Sequence, residues 1–141
     1  MTKLFLDTDI FLDLILARVP HHASAAQLFT LIESQSIHGY TSPLTFSNLH
    51  DLLRRATHRA ATLQHLRKLR LLVHIAAVDE KIVDQALASE TFGDFEDALQ
   101  HYTAVAHTMD GLITRNTRDY KRATLPVYTA DEFLAAFQTH P

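Results

Sequence analysis

The chain has 141 residues, of which 47% are apolar and 21% are charged, with only three Gly and four Pro. This composition excludes a disordered or low-complexity chain, and the length predicts one domain over residues 1–141. The absence of cysteine excludes disulfides, thiolate metal sites and a cysteine nucleophile, and it favours a reducing cytoplasm. The formal net charge of −3 gives no global attraction to nucleic acid or to a membrane.

The first twenty residues are apolar enough to resemble an export signal. However, Asp7, Asp9 and Asp13 interrupt them, and no small-residue cleavage site follows. No stretch of the chain reaches the ~20 apolar residues that a membrane span needs. The sequence therefore predicts a soluble cytoplasmic protein with no membrane partner.

Short apolar stretches alternate with segments of helical periodicity along the whole chain. Strands are predicted at residues 3–6, 37–41, 73–78, 111–114 and 126–128. Helices are predicted around residues 10–15, 22–32, 43–56, 62–72, 80–87, 94–107 and 130–137. This alternation predicts an α/β fold in three layers, with about five mostly parallel strands flanked by helices. Such sheets bind ligands where the carboxyl ends of strands meet a switch in strand order.

Acidic and amide side chains follow two of these strands. Asp7 ends the first strand, Asn116 and Asp119 follow the fourth, and Asp94 and Asp97 open the preceding helix. Because parallel strands end at one edge of the sheet, these side chains are expected to gather there. Their oxygen atoms are the ligands that Mg²⁺ or Mn²⁺ prefers. The same residues are also ordinary helix caps and turn formers, so both interpretations stand.

Basic residues are concentrated in the third and fourth predicted helices. No acid lies between Asp51 and Asp79, whereas six of the 13 basic residues do. Candidates for contacts with the phosphate backbone of a nucleic acid are Arg54, Arg55, Arg67 and Arg70. The alternatives are a solvated helix face, or a surface that pairs with the acidic stretch 79–97 of a neighbouring subunit.

The ten His residues give little support for zinc. His21 and His22 are adjacent rather than helically spaced, and no HExxH pattern occurs.

Several motifs resemble, in order, those of the PIN domain family. They are DTDIFLDLIL, GYTSPLTFSNLHDLLRR, DFEDALQHYTAVA and LITRNTRDY, ending in PVYTADEFL. The chain looks most similar to the bacterial branch that includes VapC-type toxins of toxin–antitoxin pairs. This resemblance implies a five-stranded parallel sheet between helices and a metal-dependent ribonuclease activity.

The resemblance also implies roles for individual residues. Asp7 and Asp97 match the two family aspartates on the metal, and Asn116 or Asp119 matches the position near the end of the fourth strand. Asp94 lies within reach of the same rim. The catalytic candidates are therefore Asp7, Asp97, Asn116 and Asp119, and the metal ligands are Asp7, Asp94, Asp97 and Asn116, with Mg²⁺ or Mn²⁺ as cofactor.

One position departs from the family pattern. Many members carry a Glu in the third helix, where this chain has Asn48, which contributes no charge. Asp51 either compensates or is a solvated acid. Thr8 and Thr114 either support the site by hydrogen bonding or are structural. The alternative to a nuclease is thus a weak or inactive PIN-like module that binds RNA or protein.

The expected partners are an RNA substrate, a small antitoxin protein and further copies of the chain. Near the C-terminus, Phe133, Leu134 and Phe137 either form a subunit contact or close the edge of the sheet.

Overall fold

In the computed structural model, which describes residues 2–139, the strands form one five-stranded sheet. They are β1 (Lys3–Leu6), β2 (His38–Thr41), β3 (His74–Ile75), β4 (Gly111–Ile113) and β5 (Val127–Tyr128). Their order is β3-β2-β1-β4-β5, and every neighbouring pair is parallel. The predicted α/β fold is confirmed, with a sheet that is wholly rather than mostly parallel.

Helices cover both faces of this sheet. Within the described range they are α1 (Thr8–Ile15), α2 (His22–Glu33), α3 (Pro43–Ala56), α4 (Arg59–Leu72), α5 (Glu80–Ala88), α6 (Phe95–Ala106) and α7 (Ala130–Thr139), with a 3₁₀ turn at Thr117–Tyr120. Leu4 and Leu6 pack on one face with α1 to α4 and α7, whereas Phe5 packs on the other against α6. This alternation along β1 follows from the two-residue period of a strand, and it produces the three layers.

Local capping signals fix several helix starts. Asp79 Oδ1 accepts from the Ile82 amide at 2.9 Å, so α5 begins where its sequence predicts. At α7, Thr129 and Glu132 exchange two hydrogen bonds of 2.9 and 3.1 Å, which is a capping box.

Two predicted elements differ from those observed. The strand predicted at residues 73–78 shrinks to β3, because Val73 still bonds to Leu69 as the cap of α4 and β2 ends at Thr41. Helix α4 begins three residues before its predicted start at residue 62. The reason is that His58 Nδ1 caps it, accepting from the Ala61 amide at 3.3 Å.

Three aromatic residues test which surfaces form the core. Phe133 is buried in the main core, and Phe137 packs partly on it. Of the two alternatives for these residues, the structure therefore agrees with closure of this chain's own sheet. By contrast, the apolar face of the helix predicted at residues 94–107 places Phe95 in the core, and this prediction is wrong. Its side chain is 47% exposed at the first position of α6.

The strand order creates a switch point at the centre of the sheet. The chain runs outward from β1 to β2 and β3, then returns to the other side of β1 with β4. At this junction Leu6 aligns with Ile113, and the next residues are Asp7 and Thr114. The polar side chains that follow β1 and β4 are therefore brought together at the place where parallel sheets bind ligands.

No helix within residues 2–139 is long and apolar enough to cross a membrane.

Candidate active site

A pocket of about 450 Å³ opens at this switch point. It is lined by residues of α1, α3, α6 and the loop after β4: Asp7, Thr8, Asp9, Leu12, Asn48, Asp51, Leu52, Arg55, Glu96, Asp97, Gln100 and Asn116. Its lining is thus rich in carboxylates and amides that come from four separate segments of the chain.

Asp7 is both a helix cap and a pocket carboxylate. Its Oδ1 accepts from the Thr8 amide at 2.9 Å, while its Oδ2 accepts from Thr114 Oγ1 at 2.9 Å and from the Tyr120 hydroxyl at 3.3 Å. Burial raises the pKa of Asp7, and the hydrogen bonds from these three residues oppose the rise. Asp7 therefore does both: Oδ1 caps α1, and Oδ2 belongs to the hydrogen-bond network of the pocket.

Asp9 lies two residues after Asp7 and accepts hydrogen bonds from the loop after β4. Its Oδ2 accepts from the Arg115 amide at 3.1 Å and from Asn116 Nδ2 at 3.3 Å. Its Oδ1 is buried and has no hydrogen-bond partner among residues 2–139. Burial, followed by the charge of Asp7, raises the pKa of Asp9 to about 7. A cation in the pocket would relieve both effects.

Asp97 enters the pocket from α6 and meets Asp7 through a shared hydroxyl. Tyr120 OH lies 3.3 Å from Asp97 Oδ1 and 3.3 Å from Asp7 Oδ2. One hydroxyl carries one proton, so it cannot donate to both carboxylates at once. Burial, followed by the charges of Asp94, Asp7 and Asp119, raises the pKa of Asp97 to about 7.

Asp94 and Asp119 lie at the border of the pocket rather than in its lining. Asp94 Oδ1 accepts from the Asp97 amide at 3.1 Å, so this carboxylate caps α6. Asp119 is exposed in the 3₁₀ turn. Both act on Asp97 through their charge. Of the predicted metal ligands, the structure brings Asp7, Asp97 and Asn116 into the pocket lining.

Helix α3 contributes to the site two residues whose roles the sequence left open. Asn48 and Asp51 both line the pocket, although Asp51 is exposed and lies 3.6 Å from His50 Nδ1. Helix α3 therefore contributes no buried carboxylate to the pocket. At the position where many family members have Glu, this helix contributes the neutral amide of Asn48 to the pocket lining.

The basic candidates divide between two surfaces. Arg55 lines the acidic pocket, and Arg54 is exposed next to it in sequence. Arg67 and Arg70 instead line an apolar hollow of about 390 Å³ with Phe46. In the described part of the chain, none of the four arginines forms an ion pair with a carboxylate.

Sequence reasoning missed two buried residues that hydrogen-bond to the pocket carboxylates. Gln100 is buried, donates to Thr45 Oγ1 at 2.7 Å, accepts from Ser42 at 2.5 Å and helps to hold down the pKa of Asp7. Tyr120 is 1% exposed, and burial raises its pKa. A polar Gln on the buried face of α6, three residues after Asp97, was the available signal.

The donor set fits a hard divalent cation. Its atoms are carboxylate, amide and hydroxyl oxygens, which Mg²⁺ and Mn²⁺ prefer. Among residues 2–139, no three acidic or His side chains converge tightly enough to enclose an ion unaided. In proteins, Mg²⁺ is commonly held by one or two carboxylates, and water and substrate phosphates complete its shell.

Comparison with known proteins agrees with this fold. Residues 3–118 match the family model described as PIN domain. The chain therefore belongs to the PIN domain family, as the sequence motifs predicted. No curated protein matches it significantly.

Solved structures of the VapC type share the fold. VapBC2 from Rickettsia felis, bound to a DNA fragment from its promoter, aligns with a TM-score of 0.70 and 18% identity over 89% of this chain and 97% of that one. A toxin–antitoxin complex from Klebsiella pneumoniae aligns with a TM-score of 0.67 and 26% identity over 89% and 96%. The sarcin-ricin-loop-cleaving toxin VapC20 from Mycobacterium tuberculosis aligns with a TM-score of 0.62 and 22% identity over 77% and 86%.

Proposed function

We propose that this chain is a Mg²⁺- or Mn²⁺-dependent endoribonuclease and the toxin of a toxin–antitoxin pair. The observation that carries the proposal is the pair of carboxylates, Asp7 and Asp97, which share the Tyr120 hydroxyl at the switch point of the sheet. Membership of the PIN family and the likeness to a toxin that cleaves the sarcin-ricin loop support RNA as the substrate class.

Asp7 and Asp97 would hold the cation, with the Asn116 amide beside them. When bound, such a cation lowers the pKa of water and neutralises charge on the transferring phosphoryl group. Without it, Asp97, whose pKa is raised to about 7, keeps a proton in part of the molecules near neutral pH. Cation binding should therefore release protons, and affinity should increase with pH.

Arg55 and Asn48 would bind the substrate phosphate from α3. Arg55 lines the pocket and has no carboxylate partner in the described part of the chain, so its guanidinium is available to a phosphate. Asn48 can orient a phosphate oxygen or a water through its amide. Arg54 would extend this contact along the RNA backbone. Thr8 and Thr114 support Asp7, and Asp119 contributes charge near Asp97.

A small antitoxin protein is the proposed partner, because the likeness includes toxin–antitoxin complexes. Association of the chain with further copies of itself is part of the same proposal. Arg67 and Arg70 border an apolar hollow away from the pocket, which suits a protein contact better than a phosphate contact.

The test is cleavage of structured RNA by purified protein with Mn²⁺, with EDTA, and with Asp97→Asn. Cleavage that needs Mn²⁺ and is lost in the variant supports the proposal. Cleavage that is indifferent to both changes would show that another site, or a contaminant, is responsible.

A non-catalytic binding module is the second candidate, favoured by the neutral Asn48 where many family members have Glu. It predicts RNA binding that survives EDTA, with no cleavage in any metal. Filter binding with EDTA, run beside the cleavage assay, separates the two functions.

A further inference from the structure

An ion pair with a buried carboxylate lies outside the lining of the pocket. Arg115 Nε is 2.9 Å from Asp13 Oδ2; Asp13 is 1% exposed, whereas the side chain of Arg115 is 31% exposed. Asp13 follows Asp9 by four residues on α1, so the two carboxylates lie on the same side of that helix. Arg115 belongs to the loop after β4.

Residue 115 is therefore attached to α1 at two points. Its side chain reaches Asp13, and its backbone amide donates to Asp9 Oδ2 at 3.1 Å. The next residue, Asn116, donates its side-chain amide to the same Asp9 oxygen at 3.3 Å. The guanidinium thus fixes the loop from one side, while the loop fixes the pocket carboxylate from the other.

Stability alone is a poor account of this pair. Replacing a buried ion pair by apolar residues of similar volume is often neutral or stabilising. Here, moreover, Asp13 Oδ1 and Arg115 Nε both lack a hydrogen-bond partner among the described residues, so the desolvation of the carboxylate is compensated by charge alone. The contact that the pair does secure is the alignment of the loop with Asp9.

We propose that Asp13 and Arg115 are positioning residues that hold Asp9 and Asn116 in place and thereby set the affinity of the pocket for a divalent cation. The part of this inference that concerns the cation rests on the proposed function. The part that concerns the loop does not, because it is a statement about the protein without metal. Partners one shell removed from a metal typically change its affinity by ~10–100-fold.

The decisive variant is the double substitution Asp13→Leu with Arg115→Met, which removes both charges of the pair and keeps apolar bulk. Arg115→Met alone leaves Asp13 buried without a counter-charge and is expected to lower the Tm strongly. Arg115→Lys keeps a charge but loses the planar group. The matched control is Arg118→Met, since Arg118 is exposed three residues further on and forms no ion pair within residues 2–139.

The first readout needs no metal. Hydrogen exchange followed by NMR measures protection of the residue-115 amide, which we expect to be lost in the double variant and kept in Arg118→Met. Thermal unfolding in parallel should show the double variant folded, with a Tm near that of the native chain. Undiminished protection of this amide in the folded double variant would overturn the positioning role.

The second readout is calorimetric binding of Mn²⁺ alone, without RNA. We expect the double variant to bind ~10–100-fold more weakly, Arg115→Lys to be intermediate, and Arg118→Met to match the native chain. Equal affinity in the native chain and the double variant would overturn the inference about the cation even if the chain cleaves RNA. Weakened Mn²⁺ binding in a chain that cleaves no RNA would support the inference while refuting the nuclease.

Discussion

The two sides of the pocket hold their carboxylates in different ways. On the α1 side, Asp7 and Asp9 accept hydrogen bonds from Thr114, from the loop amides and from Asn116. On the α6 side, Asp97 accepts only from Tyr120 among side-chain donors of the described residues. The α1 side is therefore held by several hydrogen bonds within the protein, whereas Asp97 on the α6 side depends on one hydroxyl that it shares with Asp7.

Asp94 and Asp97 sharpen the comparison within α6 itself. Both were expected at the metal. However, Asp94 caps the helix with one of its oxygens, while Asp97 and Asp7 lie on either side of the Tyr120 hydroxyl. Two acids three residues apart therefore have different tasks.

The largest expected effect is on cleavage. Asp97→Asn should reduce Mn²⁺-dependent RNA cleavage by more than ~100-fold, because losing a ligand should exceed the effect of losing a supporting partner. Asp94→Asn should keep most of the activity, because Asn caps a helix as well as Asp does. Initial rates at saturating Mn²⁺ measure both. If the two variants lose activity equally, Asp94 acts on the cation and not only as a cap.

The next effect concerns the missing acid of α3. Asn48→Glu should tighten Mn²⁺ binding by about tenfold or more, since a unit charge at ~4 Å contributes ~1–4 kcal/mol between bulk water and a near-surface environment. Calorimetry on the metal alone gives the dissociation constant. Asn48→Gln is the control, because it lengthens the side chain without adding charge. Equal affinity in the Glu and Gln variants would mean that residue 48 does not reach the cation.

A smaller effect is expected from the hydroxyl that joins the two sides. Tyr120→Phe should destabilise the metal-free chain by ~1–3 kcal/mol, because buried carboxylates lose a donor. This corresponds to a decrease of roughly 5 °C in Tm, measured by thermal unfolding. Tyr102→Phe, on the same face of the sheet, should change little. A Tyr120→Phe variant as stable as the native chain would show that the shared hydroxyl contributes nothing to folding.

The smallest effect is the pH dependence of the metal-free fold. Asp9 and Asp97 have pKa values of about 7 when folded, against an ordinary value of 3.8, so the folded state binds more protons between these values. Stability should therefore be greatest below about pH 4 with respect to these groups, and decrease as pH rises to 7. The Tm at pH 5 should exceed that at pH 8 by several degrees.

Asp97→Asn should flatten this dependence, whereas Asp84→Asn on the exposed surface of α5 should not. Adding Mn²⁺ at pH 8 should restore the lost stability, because the cation replaces the protons. A Tm that increases steadily from pH 5 to 8 without metal would contradict the raised pKa values.

Much of the fold could be predicted from the sequence because its signals are local. The apolar run of β1, the Pro43 start of α3 and the Asp79 cap each depend on residues within a few positions of one another. Their places in the predicted elements made Asp7 and Asp97 candidates, the family motifs related them to the metal, and both line the pocket. The short β3 was overestimated because apolar composition does not reveal where a neighbouring strand stops.

Only the tertiary structure decided which groups meet at the rim. Thr114 reaches Asp7 across 107 residues of chain, and Tyr120 reaches it across 113. These contacts follow from the register of β1 with β4, which no local pattern specifies. Pairing those strands places the ends of two distant segments side by side, and burial there turns ordinary cap and turn residues into carboxylates with raised pKa values.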